Sequence, residues 1–446
     1  MERKVSKLPT DPGPAAWNSL LDEAREYPTL EADTSADVVV IGAGFAGLAA
    51  ARRLNQIDPK QKIVVLEARR VGEGPAGRNS GFMIDIPHKL DSKDYASNHE
   101  DDLRRIAMNR EAIEFSRSAS LEYDMLEEAF TMSGKINAAA GPRGHANNQN
   151  YAKHLSDLGE EFDRLDAKAM RDICGSSYYL GGLFTPGTAL VQPALFVRSL
   201  SSGLALQGVN FFENSPVKSL SRSGDNWQVA TPNGKVSAGI VILAVNGHLE
   251  SFGFYPRRLM HIYLYASMTR ALTNDEIGQL GGHDNWGFTP ADPLGTTVRK
   301  VSGIGGHRIV IRNRFTWAPG RSVPEHILKN MSPVHDRSFQ QRFPNLPQVS
   351  MEHRWGGLLC LSRNGSTAFG EIEPGLYSAC CQNGLGTVMG TLSGKLAAEL
   401  ASGHLSDTVR TMLDQPEPQK LPPEPFSSIG ANAFMRWSEF RAGREL

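Results

Sequence analysis

Only four cysteines occur in the chain, Cys174, Cys360, Cys380 and Cys381. They form no Cys-x-x-Cys pair and no set with metal-ligand spacing, which leaves out a redox disulfide centre and a cysteine-built metal site. Charge of one sign is also missing. With 47 basic and 48 acidic residues the formal net charge is −1, so no field favours a nucleic-acid or other polyanionic partner. Long apolar runs are absent too. A typical longest stretch, Gly239–Val245, falls far short of the ~20 residues of a membrane helix and reads as a buried strand. Met1-Glu2-Arg3-Lys4 has no apolar segment behind it, so no secretory signal and no membrane span are expected, and a cytoplasmic enzyme is. There are no internal repeats.

What is present is globular: 446 residues, 40% hydrophobic and 21% charged, too many for one ordinary core. Val38–Ile41 is an apolar run ending at glycine, Gly47–Ile57 has helical spacing, and Lys62–Leu66 is a second buried strand. That order predicts an α/β fold opening with a Rossmann-like domain. After Pro256 the texture changes to alternating, glycine-punctuated strands over Leu259–Thr269, Thr296–Gly303 and His307–Trp317. These predict a second, α+β domain on a mixed or antiparallel sheet. The expected segments are an N-terminal arm packed on the surface (1–34, with a short helix near Ala16–Glu26) and dinucleotide-binding parts at 35–98, 166–255 and 351–402. A helical insertion at 99–165, broken by a loop at Gly141–Gly144, a substrate domain at 256–350 and a tail at 403–446 complete the reading.

Gly42-Ala43-Gly44-Phe45-Ala46-Gly47 stands between a strand and a helix. Gly42 permits the tight turn, Gly44 lets backbone N–H groups approach a pyrophosphate, and Gly47 lets the helix sit close to the sheet. The anion rests on the helix N-terminus. Glu67, twenty residues beyond Gly47, is placed to meet ribose hydroxyls, with Ala68 and Arg69 beside it. A carboxylate there repels a 2′-phosphate, so NADP fits poorly; NAD and FAD stay open on this motif alone.

The loop Gly72-Glu73-Gly74-Pro75-Ala76-Gly77-Arg78-Asn79-Ser80-Gly81 follows the second strand. With the opening fingerprint, it resembles the D-amino-acid-oxidase family of flavoenzymes, which includes glycine and sarcosine oxidases. Within that family it is most similar to the bacterial γ-glutamylputrescine oxidoreductases, with Ser80 in place of a glycine. The resemblance resumes at Arg354-Trp355-Gly356-Gly357, at Leu361-Ser362-Arg363, and at Gly375-Leu376-Tyr377 leading to Asn383-Gly384-Leu385-Gly386, spanning about 35–400. It implies FAD as the cofactor. It brings Gly77, Arg78, Asn79, Ser80 and Gly81 beside pyrophosphate and flavin, and sets Val217 at the adenine. Ala244, Asn246 and Gly247 would line the cleft, and Gly384, Leu385, Gly386 and Thr387 would present N–H groups to the flavin O2 edge. Arg78 is read as a phosphate partner, with a surface charge as the alternative.

The resemblance further implies oxidation of a primary or secondary amine or amino acid, with O2 or another acceptor taking the electrons. No catalytic triad is required. Tyr263, Tyr265, Trp286, Arg312, Arg314 and Trp317 on the antiparallel sheet, together with Trp355, are candidate substrate contacts. Strand alternation puts Arg312 and Arg314 on one face, as an anion clamp or equally as a solvated edge. Lys300 or Arg299 is a candidate neighbour of flavin N5, the register being ambiguous. Cys360 reads as a buried thiol rather than a flavin link, and His88 as more structural than catalytic. A flavin monooxygenase or halogenase and a non-catalytic flavoprotein subunit are the rival readings. An oligomer stays open.

Overall fold

The computed structural model describes residues 2–23, 25–87 and 98–446. Its first sheet is built around parallel strands Asn210–Phe212, Ile63–Leu66, Thr34–Ile41, Lys235–Leu243 and Leu376–Cys380. Val38, Val39 and Val40 have no exposed surface, as expected of strands covered on both faces. Helix Phe45–Ile57 lies over the sheet and meets helix Val388–Ala401 at closest approach through Gly394, where a Cβ would fall 1.9 Å from the Ala46 carbonyl oxygen. Only glycine allows the two backbones this near.

The second sheet has eight strands in the order Met351–Leu361, Met260–Thr269, Arg308–Trp317, Thr297–Val301, Trp286–Pro290, Lys135–Ala139, Gly181–Thr185, Asp163–Asp166. All neighbours run antiparallel except Trp286–Pro290 with Lys135–Ala139, so the sheet is mixed. One face carries helix Glu325–Arg342; the other looks toward the first domain. The segment boundaries differ from the sequence reading here. The stretch expected as a helical insertion (99–165) and the start of the second dinucleotide-binding part (166–255) supply three of these strands, and Met351–Leu361 is an edge of this sheet rather than part of the first.

Two local expectations change as well. Residues 141–144 are not an interrupting loop: Gly141 precedes helix Pro142–Leu158, whose proline sits in the first turn, where its missing N–H costs nothing. The cap comes from the far end of the chain, where the Glu445 carboxylate accepts from the Ala140 and Gly141 N–H groups at 2.8 and 3.0 Å. The N-terminal arm, in turn, is not confined to the surface. Its helix is the single turn Ala16–Ser19, with Trp17 buried between the domains.

Burial pushes the Glu445 carboxyl up to about 7, with Arg342 opposing and Asp292 reinforcing the shift. Because the folded pKa exceeds the unfolded one, this group's contribution to stability is complete below about 4.5 and is lost as pH rises through about 7. Glu445→Gln keeps an acceptor for both N–H groups and removes the titration. It is expected to match wild type in thermal melts at the acid end of that window and to exceed it by about 2 kcal/mol at pH 8. A constant difference across the window would show that Glu445 does not titrate there.

Candidate flavin site

The strand Thr34–Ile41 ends at Gly42, whose φ of +102° belongs to the region glycine tolerates, and a Cβ there would meet the Ala244 carbonyl oxygen at 2.7 Å. Gly44 begins helix Phe45–Ile57 with no side-chain cap, so the first-turn N–H groups stay available at the mouth of a cleft. At Gly47 a Cβ would stand 1.7 Å from the Gly42 carbonyl oxygen. Glu67 accepts from Ala43 N–H at 2.9 Å and Arg69 N–H at 3.0 Å; burial raises its pKa and these bonds oppose the rise.

One continuous cleft is lined by Gly42, Gly44, Phe45, Ala46, Glu67, Ala68, Arg69, Asn79, Val217, Ala244, Asn246, Gly247, Gly384 and Gly386. Glycines thus floor both ends, about 340 residues apart in sequence. At the far end, Thr387 precedes helix Val388–Ala401 without a side-chain cap and spends its hydroxyl on the Phe82 carbonyl at 2.6 Å. Leu385 instead packs with Phe82, Ile84 and Leu190. Two open helix N-termini, glycine-lined approach and a carboxylate between them fit a dinucleotide carrying an electron-rich ring.

The loop Gly77–Gly81 is held from behind, carbonyl by carbonyl. Trp355 Nε1 donates to Arg78 O at 2.9 Å, Trp17 Nε1 to Asn79 O at 2.9 Å, and Arg299 Nη1 to Ser80 O and Gly81 O at 3.0 and 3.1 Å. Gly77 and Gly81 allow the tight path, since a Cβ would lie 1.8 Å from the Gly72 carbonyl oxygen in the first case and 2.2 Å from Arg299 in the second. Arg78 does not line the cleft. Its guanidinium donates to the carbonyls of Glu73, Pro12, Gly13 and Gly356 and lies 3.9 Å from buried Asp11. The expected phosphate pairing is therefore replaced by a strap binding the arm and the second sheet to the loop. Trp355 likewise buttresses the loop instead of walling a substrate.

Register decides the remaining candidates. Val310, Arg312, Ala266, Trp355, Thr297 and Arg299 share the side of the second sheet that meets the flavin loop. Lys300 is on the opposite side, opposite Trp286 and Ile309, and only Arg299 of the pair reaches the loop. Burial holds Arg299 down to about 9, between the rings of Trp17 and Phe82. Arg312 and Arg314 do not share a face. A bulge pairs Tyr265 with Asn313 and Leu264 with Phe315, leaving Arg314 as the extra residue at φ +64°. Arg314 binds Glu439 of the last helix at 2.6 Å, whereas Arg312 stays on the loop-facing side beside Phe315, burial lowering it to about 10.

Tyr263 and Tyr265 face helix Glu325–Arg342, their hydroxyls bound to Asp11 and to Thr316. Trp286 stacks on Phe288 in a separate core with Phe339 and Phe343, and Trp317 donates to Ser428 of the last helix at 3.0 Å. Cys360 is a buried thiol in the core of the first domain. His88 lies outside the described residues. Sequence reasoning missed Lys135, Asn137 and Thr289. Arg312, Thr297, Thr289 and Asn137 fall in one row across four strands, and Lys135 sits in the next row beside Asn137, to which its Nζ donates at 2.5 Å. Burial lowers Lys135 to about 7, Asp85 opposing. The polar–apolar alternation of Lys135-Ile136-Asn137-Ala138 was the available signal.

The family model for FAD-dependent oxidoreductases of the DAO type matches residues 37–400. The probable oxidoreductase OrdL of Rhizobium meliloti (strain 1021) is 25% identical over 435 residues, covering 94% of each chain. The γ-glutamylputrescine oxidoreductase of Escherichia coli (strain K12) is 24% identical over 418 residues, 91% of this chain and 93% of that one. Among solved structures, glycine oxidase from Geobacillus kaustophilus superposes with a TM-score of 0.68 at 16% identity, over 84% of this chain and 96% of that one. With a match across most of its length, this chain belongs to the DAO family of FAD-dependent oxidoreductases, and FAD is its cofactor.

Proposed function

We propose that the enzyme oxidises a primary or secondary amine or amino acid bearing a carboxylate. The amine loses one C–H and one N–H hydrogen, with two electrons, to become an imine. Water then hydrolyses the imine to a carbonyl compound and an amine or ammonia. FAD, when bound, takes up the two electrons; O2 as final acceptor leaves as H2O2.

The observation that carries this reading is the set of basic side chains on the loop-facing side of the second sheet, Arg299 and Lys135 buried and Arg312 half-buried. A positive field there draws a carboxylate and disfavours the ammonium form of the substrate, leaving the neutral amine that C–H oxidation requires. Arg299 is already spent on backbone carbonyls, so Arg312 is the group with a guanidinium to offer a substrate. The aromatic and apolar residues Phe82, Ile84, Leu190 and Leu385 pack together, Phe82 against Arg299, and exclude water from that part of the loop-facing side.

The test is anaerobic mixing of the FAD-loaded enzyme with a panel of neutral and carboxylate-bearing primary and secondary amines, following loss of flavin absorbance. Carboxylate-bearing secondary or primary amines are expected to bleach the flavin and, in air, to yield peroxide. If NAD(P)H bleaches it while no amine does, the reading fails in favour of a monooxygenase.

A further inference from the structure

The last helix, Phe426–Ala442, carries five of the large hydrophobic side chains that stand exposed: Phe426 at 68%, Ile429 at 62%, Phe434 at 58%, Trp437 at 54% and Phe440 at 85%. At ~100° per residue, Phe426, Ile429, Trp437 and Phe440 form one stripe along the helix, with Phe434 at its margin. The opposite side is seated. Met435 and Ala442 are buried, Ser428 accepts from Trp317, and Glu439 is paired with Arg314. The stripe is therefore presented by a helix already fixed to the enzyme.

Its charges are sorted. Arg436 and Arg441 are exposed and, by the same helical spacing, flank the stripe on either side, Arg441 standing 4.3 Å from the Trp437 ring centroid. The two acids from Phe426 onward, Glu439 and Glu445, are both turned inward and bonded there. The nearest preceding acid, Glu424, caps the start of the helix through Ser427 and Ser428. An apolar aromatic stripe bordered by cations suits the boundary between anionic headgroups and acyl chains. Two copies of the helix packed on one another would instead crowd Arg436 and Arg441 against their counterparts with no acid to offset them. Among the described residues no helix is long and apolar enough to cross a membrane, so this one would lie in the surface plane.

We propose that Phe426–Ala442 seats the enzyme on an anionic lipid surface, Phe426, Trp437 and Phe440 entering the acyl boundary and Arg436 and Arg441 meeting the headgroups. The proposal is independent of which amine is oxidised. Its test is flotation of the full-length, FAD-loaded enzyme with phosphatidylcholine vesicles containing about 30% phosphatidylglycerol, against phosphatidylcholine alone. Binding to the anionic vesicles alone, weakened by salt, is expected. Arg436→Gln with Arg441→Gln should weaken it about thirtyfold, and Trp437→Ser with Phe440→Ser by tenfold or more. Flavin content and thermal melting of both variants should match wild type. Equal flotation on neutral vesicles, or none on anionic ones, overturns the proposal. So does a dimer in solution that Trp437→Ser with Phe440→Ser dissociates, which would make a second copy the occupant.

Discussion

Gly47→Ala is expected to emerge from purification without FAD. The added methyl would sit 1.7 Å from the Gly42 carbonyl oxygen, a distance at which backbone must move. Neither side can yield cheaply. Gly42 is held at φ +102° with its own Cβ position against Ala244, and its N–H is bonded to Leu66 O at 2.8 Å. The helix bearing Gly47 is locked from above by Gly394, whose backbone rests on Ala46. Relief would come from lifting the helix N-terminus off the strand end, and that junction is the proposed anion seat. A loss of about 3 kcal/mol or more, at least a hundredfold in FAD affinity, follows from overpacking plus misplaced N–H groups. Gly74→Ala provides the contrast. It lines the same cleft in an ordinary extended conformation, φ −73°, with nothing within 4 Å of its Cβ position. That variant should keep stoichiometric FAD. Recovery of Gly47→Ala with full flavin and an unchanged melting temperature would show that the strand–helix junction does not set cofactor affinity.

The contrast between those two glycines also explains what was legible in the sequence. The first domain announces itself locally: an apolar run, three glycines at fixed spacing, a helix and an acid, all within about thirty residues. Gly47 and Glu67 are fixed by neighbours close along the chain, Gly42 in the first case and Ala43 and Arg69 in the second. The second domain is not built that way. Lys300 and Arg299 differ by one residue, and a one-residue difference in strand register exchanges the loop-facing side for the opposite one. Arg312 and Arg314 read as neighbours on one face until a bulge, fixed by the partner strand Met260–Thr269, removes Arg314 from the alternation. Arg78 reads as a phosphate ligand until the arm at Pro12 and Gly13 and the edge strand at Gly356 supply carbonyls for its guanidinium. The cap of helix Pro142–Leu158 is a glutamate some three hundred residues downstream. In every instance the deciding partner is remote in sequence, where composition and periodicity carry no information.

That register sets the second large expectation, a split between two arginines that the sequence alone treats as equivalent. Arg312→Met should lower kcat/KM for a carboxylate-bearing amine by on the order of a hundredfold to a thousandfold, the usual cost of removing one partner of a desolvated, hydrogen-bonded charge pair. Neutral amines of similar size should change by only a few fold, because methionine retains most of the apolar stem. Flavin content should be unaffected, since Arg312 lies off the residues lining the cofactor cleft. Arg314→Met should do the reverse. Its guanidinium holds Glu439, so amide exchange across Phe426–Ala442 should quicken while the preference for acidic amines stays within about twofold of wild type. The comparison separates substrate recognition from loss of structure, because each variant controls for the charge removed in the other. If both variants leave acidic and neutral amines in their original ratio, the carboxylate is recognised elsewhere, and Lys135 in the adjoining row becomes the residue to exchange next.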